Sequence, residues 1–234
     1  MVTVIMQPTY LPWIGYFDLM DRADTFVFLD TVQFEKRSWQ QRNRIKTSSG
    51  WQYLSVPVVK NFRQRIAGTR VNNTSPWAVK HWKSIRQCYQ RARYWGEYSD
   101  SLEVVYSRPW DRLADLNAAI IDWIRSRLGI DVKVMWASKM TTTGKKVDLL
   151  IDICKQTGAD TYLSPLGSAD YIEKDNRFAG AGIELLYQSF DHPTYTQLYG
   201  DFVPYLSAID LLFNEGPAGL EILRSGSGTR SSPA

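Results

Sequence analysis

Two continuous apolar runs lie within the first thirty residues: Val2-Thr-Val-Ile-Met6 and Thr25-Phe-Val-Phe-Leu29. Between them stand a proline-bounded turn, Gln7-Pro-Thr-Tyr-Leu-Pro12, and a short helix pattern from Trp13 to Asp21. Unbroken apolar runs of this length suit strands covered on both faces, as in a parallel sheet with helices above and below. The segment therefore predicts a β-α-β unit, in which ligands bind outside the carboxyl ends of the strands. Gln7 and Asp30 follow those two ends, so the unit already marks a candidate site.

The pattern continues along the chain. Ile45-Lys46 and Gln52 to Pro57 flank Ser48-Ser-Gly50, the signature of a hairpin turn. Residues 60–74 read as a polar, mobile loop. Ser75-Pro76-Trp77 opens a helix whose Trp77, His81, Ile85 and Cys88 share one face. Trp95 to Tyr106 reads as a shorter helix. Leu113, Leu116, Ile120, Trp123 and Leu128 form a second stripe, ended by Gly129. Further strands are predicted at Val132–Trp136, Thr161–Ser164 and Ile183–Tyr187, and further helices over 147–157 and 204–214. The Ser/Gly-rich stretch from Ser225 to Ala234 reads as disordered. Strand-helix alternation at both ends, with a helical block between, predicts a Rossmann-like α/β fold. Its mostly parallel sheet carries a helical insertion over about residues 75–129, in a single domain of residues 1–216 with residues 217–234 as an extension.

Composition narrows the function classes. A hydrophobic share of 44% and a charged share of 22% are those of a soluble globular chain. The 9 Trp and 13 Tyr exceed ordinary usage and point to ligand-lining aromatics as well as core filling. A net charge of +4 favours an anionic small-molecule partner and is too small to argue for nucleic acid. With 2 Cys and 2 His, neither a disulfide framework nor a metal-ligand spacing is present, and both thiols read as buried and structural. Neither a signal peptide nor a membrane-length apolar run is evident, so the expected compartment is the cytoplasm.

Five constellations could carry chemistry. The turn from Gln7 to Tyr16 has Gly15 at a helix start, where free amides attract anions. Asp30 precedes a cationic loop in which Lys36, Arg37, Arg42, Arg44 and Lys46 could close over a phosphate, with Trp39 as an aromatic platform. Thr141 to Lys146 offers hydroxyls to cap the helix after it, beside Lys145 and Lys146. In Phe190-Asp-His-Pro193 the proline holds His192 extended at the sheet rim, where it could act as a general base near neutral pH. Asp210 falls on or beside a buried stripe and needs either a partner or a raised pKa.

Taken together these segments resemble the WbqC-like family. The matching stretches are Gln7 to Phe17, Phe28 to Phe34, Trp39 to Lys46, Thr143 to Lys146, Thr161 to Ser164, Phe190 to Pro193 and Leu206 to Asn214. Gln41 stands where the family usually carries Asn. The resemblance implies a setting in bacterial surface-polysaccharide or specialised-metabolite pathways. A weaker similarity links the strand-turn-helix to nucleotidyltransferases, whose His-x-Gly-His motif is replaced here by Trp13-Ile-Gly15-Tyr16.

The resulting expectation is an amide-forming transferase. It would pass an acyl or aminoacyl group from coenzyme A or a phosphopantetheine thioester, including an acyl or peptidyl carrier protein, to a small amine or nucleotide-linked amino sugar. His192, aided by Asp191 or Asp30, would be the base, and Gln7 would stabilise the oxyanion. Tyr10, Trp13, Tyr16, Lys36, Trp39, Arg42, Asn43, Lys46, Ser164 and Asp210 would bind substrate, and Thr143, Gly144 and Lys145 would hold the donor's phosphate. The alternatives are a non-catalytic binding protein for an anionic metabolite or carrier domain, and a nucleotidyltransferase. The transferase reading requires Gln7, Asp30 and His192 to meet in one cleft.

Overall fold

The computed structural model describes residues 1–59, 63–168 and 177–231. Among these residues eight strands occur in chain order: β1 (Val2–Met6), β2 (Thr25–Phe28), β3 (Arg42–Thr47), β4 (Gly50–Ser55), β5 (Lys133–Trp136), β6 (Thr161–Ser164), β7 (Glu184–Phe190) and β8 (Ser227–Ser231). Six form one sheet in the order β5-β2-β1-β6-β7-β8, while β3 and β4 form a separate hairpin. The first five strands of the sheet run parallel and β8 runs antiparallel to β7. Strand pairing therefore grows outward from β1 to β2 and β5, then resumes on the other side of β1 with β6 and β7. This is the Rossmann-like arrangement that the alternation predicts.

Period-two alternation sends neighbouring residues to opposite faces. Val4 joins the larger core, beneath α1 (Ile14–Asp21), and Ile5 joins a smaller one, beneath α5 (Val147–Thr157). In α1 every residue from Ile14 to Met20 is buried. Burying its Phe17, Leu19 and Met20 side chains contributes roughly 1.5–3 kcal/mol each. The helical insertion comprises α2 (Trp77–Tyr89), α3 (Trp95–Ser107) and α4 (Leu113–Leu128). Its expected buried faces are the observed ones, and Gly129 at φ 75° and Gly158 at φ 74° end their helices in the left-handed conformation that glycine adopts without cost. Cys88 and Cys154 are free and buried.

Several local expectations are corrected. The hairpin begins at Arg42, three residues before Ile45, because antiparallel pairing extends back to Arg42 opposite Ser55. In the loop over 60–74, Ile66 is fully buried within a single 3₁₀ turn. Residues 60–62 lie outside the described residues. The helix expected from Pro204 begins only at Ile209 (α7, Ile209–Glu215). The preceding segment is irregular instead, with Tyr205 at φ 59°, and is held by the Ser207 N–H on the Arg44 carbonyl (2.9 Å) and the Ala208 N–H on the Pro12 carbonyl (2.7 Å). A short helix α6 (Arg177–Gly180) precedes β7, and α8 (Gly219–Ser225) leads into β8. That last strand overturns the disorder expected after Ser225. The Arg22 guanidinium donates to the Gly228 carbonyl at 2.7 Å, and the Ser227 hydroxyl bonds the buried Asp18. Residues 232–234 lie outside the described residues.

Candidate functional site

Strand order reverses between β1 and β6, and the crevice outside the carboxyl ends at such a reversal is where open α/β sheets bind ligands. Two cavities open there. One, of about 390 Å³, is lined by Gln7 after β1, by Glu35, Ser38 and Gln40 from the loop after β2, and by Gly167 and Ser168 after β6. The other, of about 380 Å³, is lined by Pro12, Trp13, Tyr16, Asn43, Arg44 and Tyr205. Met6, Thr9 and Trp39 border both. The cavities are thus two chambers of one groove, divided by the half-exposed Trp39 indole. Their walls differ in part: the first adds amide, hydroxyl and carboxylate groups to an apolar lining that includes Ile5, Leu29, Leu150 and Pro165, while the second is lined mainly by aromatic rings. Both volumes suit small molecules.

The polar chamber is tied together by amides. Gln40 Nε2 donates to Gln7 Oε1 at 2.7 Å, while Gln40 Oε1 accepts the Glu35 N–H at 2.9 Å. From α4, Asn117 Nδ2 donates to the carbonyls of Pro8 (3.0 Å) and Gln40 (2.8 Å). The helical insertion thereby staples the two rim loops to each other. With its oxygen fixed by Gln40, the Gln7 carboxamide keeps its Nε2 donors unpaired among the described residues and lines the chamber. Ser168 is held by Ser164, whose hydroxyl lies 2.5 Å from its own. Ser164 is fully buried and supports the wall rather than reaching a ligand.

The aromatic chamber depends on Gly15. A Cβ there would stand 2.2 Å from the Trp13 ring, so glycine is what lets the indole fold back over the helix start. The close approach expected at Gly15 thus admits a side chain of the protein itself, not an anion. Trp13 stacks on His192 with centroids 6.1 Å apart, and meets Tyr205 edge-on at 5.4 Å. Tyr205 is a non-glycine residue at φ 59°, a conformation costing on the order of 1–3 kcal/mol. Its N–H donates to His192 Nε2 at 3.1 Å and its carbonyl accepts from the Arg44 guanidinium at 3.1 Å. Arg44 also lies over Trp51, 5.1 Å from the ring centre.

These contacts change the role of His192. Its Nδ1–H faces the Pro193 carbonyl at 2.9 Å while Nε2 accepts the Tyr205 amide, so both ring nitrogens are engaged. Burial lowers its pKa below the usual value, against the hydrogen bond to Pro193. The ring lines neither chamber. Asp191 is exposed, with its N–H on the Gly226 carbonyl at 3.0 Å. Asp30 is 2% exposed and borders a separate cavity at the ends of β2 and β5, with Oδ1 on the Ser138 N–H at 2.9 Å. Gln7, Asp30 and His192 therefore do not share one cleft, and the expected three-residue machinery is not assembled.

Among the expected binding residues, Trp13, Tyr16, Trp39 and Asn43 line the groove. Asn43 is buried, and its Nδ2 donates to the Leu11 carbonyl at 2.6 Å. Tyr10 is fully buried, with its hydroxyl 2.8 Å from His81 Nδ1 and 2.7 Å from the Tyr106 hydroxyl, and is a core residue. Lys36 is exposed and borders neither chamber, and Arg42 lies over the Tyr53 ring at 4.4 Å. Lys46 is 1% exposed, with its ammonium bonded to the Asp201 carbonyl and lying 3.3 Å from Gln197 Oε1. Asp210 accepts from Tyr89 (3.0 Å), Tyr195 (2.9 Å) and Gln197 (2.8 Å), and burial pushes its pKa up to about 6 against those bonds. Lys46 and Asp210 thus belong to a buried polar network that anchors the hairpin to α7.

The phosphate site expected at α5 is taken by the chain's own acids. The Thr143 N–H donates to Asp152 at 2.6 Å, Arg177 pairs with Asp148 at 2.5 Å, and no side chain caps the helix. The expected hydroxyl cap is therefore absent, and Thr143, Gly144 and Lys145 border neither chamber. Polar and aromatic groove residues absent from the sequence-level candidates include Thr9, Glu35, Ser38, Gln40, Ser168 and Tyr205. Gln40 lies beside Trp39 in a quoted segment and could have been inferred. Tyr205 carries no local signal, because its place depends on long-range bonds to Arg44 and His192.

The profile of the WbqC-like protein family matches residues 7–222. The chain belongs to the WbqC-like protein family. A relative from Mycobacterium tuberculosis (strain ATCC 25618 / H37Rv), described as uncharacterized protein Rv1507c, is 36% identical over 224 residues. The alignment covers 94% of this chain and 96% of the relative. No solved structure matches. Among the described residues of this WbqC-like chain, no helix is long and apolar enough to cross a membrane.

Proposed function

We propose that the groove is the site of an acyl or aminoacyl transfer to an amine. The observation that carries this reading is the pair of adjoining chambers that share Met6, Thr9 and Trp39, of which the first alone adds the Gln7 and Gln40 amides and the Glu35 carboxylate. Two small molecules seated in them would meet at Thr9 and Gln7. The aromatic chamber, with Arg44 at its edge, suits the pantetheine arm of a thioester donor. The polar chamber suits an amine acceptor such as a nucleotide-linked amino sugar, whose ammonium would face the Glu35 carboxylate. Glu35 would take the proton, and the freed amine would attack the thioester carbonyl. The C–N bond forms, the Gln7 Nε2 donors steady the oxyanion, and the C–S bond breaks as the departing sulfur takes the second proton from the nitrogen and leaves as thiol.

The test is mass spectrometry of thioester and amino-sugar mixtures incubated with the protein. The reading expects a product heavier by the acyl group. Gln7→Leu should lower its rate about 100-fold, the scale of one lost oxyanion donor. Saturable binding without product would favour the second reading, an accessory protein that binds without reacting. The engagement of both His192 nitrogens favours that alternative, since it leaves the rim without a histidine base.

A further inference from the structure

The cavity that holds Asp30 stands apart from the groove. It measures about 270 Å³ and lies where β2 and β5 end against the start of α4. Four charged side chains line it, two of each sign: Asp30 and Asp115, Arg112 and Lys139. Among the described residues none of the four forms an ion pair. Asp30 is 2% exposed, and among the described residues its carboxylate is met by a single donor, the Ser138 N–H. A buried carboxylate so thinly satisfied is costly without a cationic partner. Arg112 spends one nitrogen on the Ala67 carbonyl at 2.9 Å, and among the described residues no hydrogen bond or ion pair engages the Lys139 ammonium. The first turn of α4 also borders the cavity through Ala114 and Asp115, and no side chain caps that helix. The Leu113 N–H is taken by the Thr69 carbonyl at 2.9 Å, and the amides that follow it favour negative charge.

We infer that this cavity is a second binding site, for a small zwitterion of the α-amino-acid class. A lone anion would meet two carboxylates there, and a lone cation two basic groups. A zwitterion satisfies both pairs, with its ammonium on Asp30 and its carboxylate toward Arg112, Lys139 and the α4 start. The volume admits a small side chain against Trp136. The site is independent of the transfer proposed for the groove.

Isothermal titration of the full chain with glycine, L-alanine, acetate and methylamine tests this. The expected result is saturable binding of at least one amino acid, with acetate and methylamine at least about tenfold weaker, a difference of roughly 1.4 kcal/mol. Asp30→Asn keeps an acceptor for the Ser138 N–H, and Lys139→Met alters an exposed residue. Each should weaken the amino acid about tenfold or more. Acetate or methylamine binding as tightly as the amino acids would overturn the proposal by showing a simple ion site. So would amino-acid binding unchanged in both variants, or no amino-acid binding at all. Because neither variant touches the groove, a failed transfer assay leaves this result readable on its own.

Discussion

At the residue scale, His192 shows how a correct position can carry the wrong role. The sequence places it just after the strand expected to end at Tyr187, at the rim, and it is found there, two residues past the end of β7 at Phe190. What the sequence lacks is Tyr205, whose amide occupies the lone pair a base would need. His192 is thus a positioning residue for a strained wall of the aromatic chamber. His192→Ala should raise the KM for the thioester several-fold while leaving the shape of the kcat–pH profile unchanged. A lost limb in that profile would restore it as the base. Asp210 was recognisable as a buried acid, and its partners were not, because Tyr89 reaches it from α2 and Tyr195 and Gln197 from the loop after β7. Its folded pKa of about 6 lies above the ordinary carboxylate value of 3.8, so between those pH values the folded state holds a proton that the unfolded chain has lost. Stability from this group is present below about 4 and is lost as pH rises through about 6. His81 acts oppositely: burial lowers its pKa to about 4 from 6.5, so its contribution is complete above 6.5 and is lost as pH falls toward 4. Urea denaturation across pH 4–6.5 should therefore show a steeper rise of stability with pH in Asp210→Asn than in the parent. An unchanged slope would contradict the buried-acid account.

At the element scale, the strands and helices with strong periodicity were legible. β1 and β6 match their expected bounds, and the faces of α2 and α4 are those the spacing indicates, because burial on one side imposes the pattern directly. β8 was not legible. Its Ser, Gly and Arg residues have little strand preference, and it is held by backbone pairing to β7 and by bonds to Arg22 and Asp18. Gly226, at its start, lies so close to the Asp191 carbonyl that a Cβ would stand 2.2 Å from that oxygen. Gly226→Ala should lower stability by about 1–3 kcal/mol through this overpacking, read as a fall in Tm. An unchanged Tm would mean that β8 contributes little. Gly15→Ala is expected to act differently. Displacing Trp13 from the helix start opens the aromatic chamber, so affinity for the thioester should fall more than stability does, a split that calorimetry and titration together would resolve.

At the scale of the whole molecule, strand order places the groove. Strand order reverses between β1 and β6, the loops after those parallel strands diverge, and the loop after β2 brings Trp39 to the border of both chambers. The helical insertion contributes by pinning these loops through Asn117 rather than by lining the groove itself. Asp30 falls on the far side of β2 from the reversal and opens to its own cavity, which is why one rim carries two sites. The direct measurement is calorimetric binding of a uridine diphosphate-linked amino sugar to the parent chain, Trp39→Ala, Gln7→Leu and Asp30→Asn. A groove at the reversal predicts one site per chain, weakened about tenfold or more by the first two substitutions and untouched by the third. Binding that survives both Trp39→Ala and Gln7→Leu, or that is lost in Asp30→Asn, would place the ligand elsewhere and contradict the account.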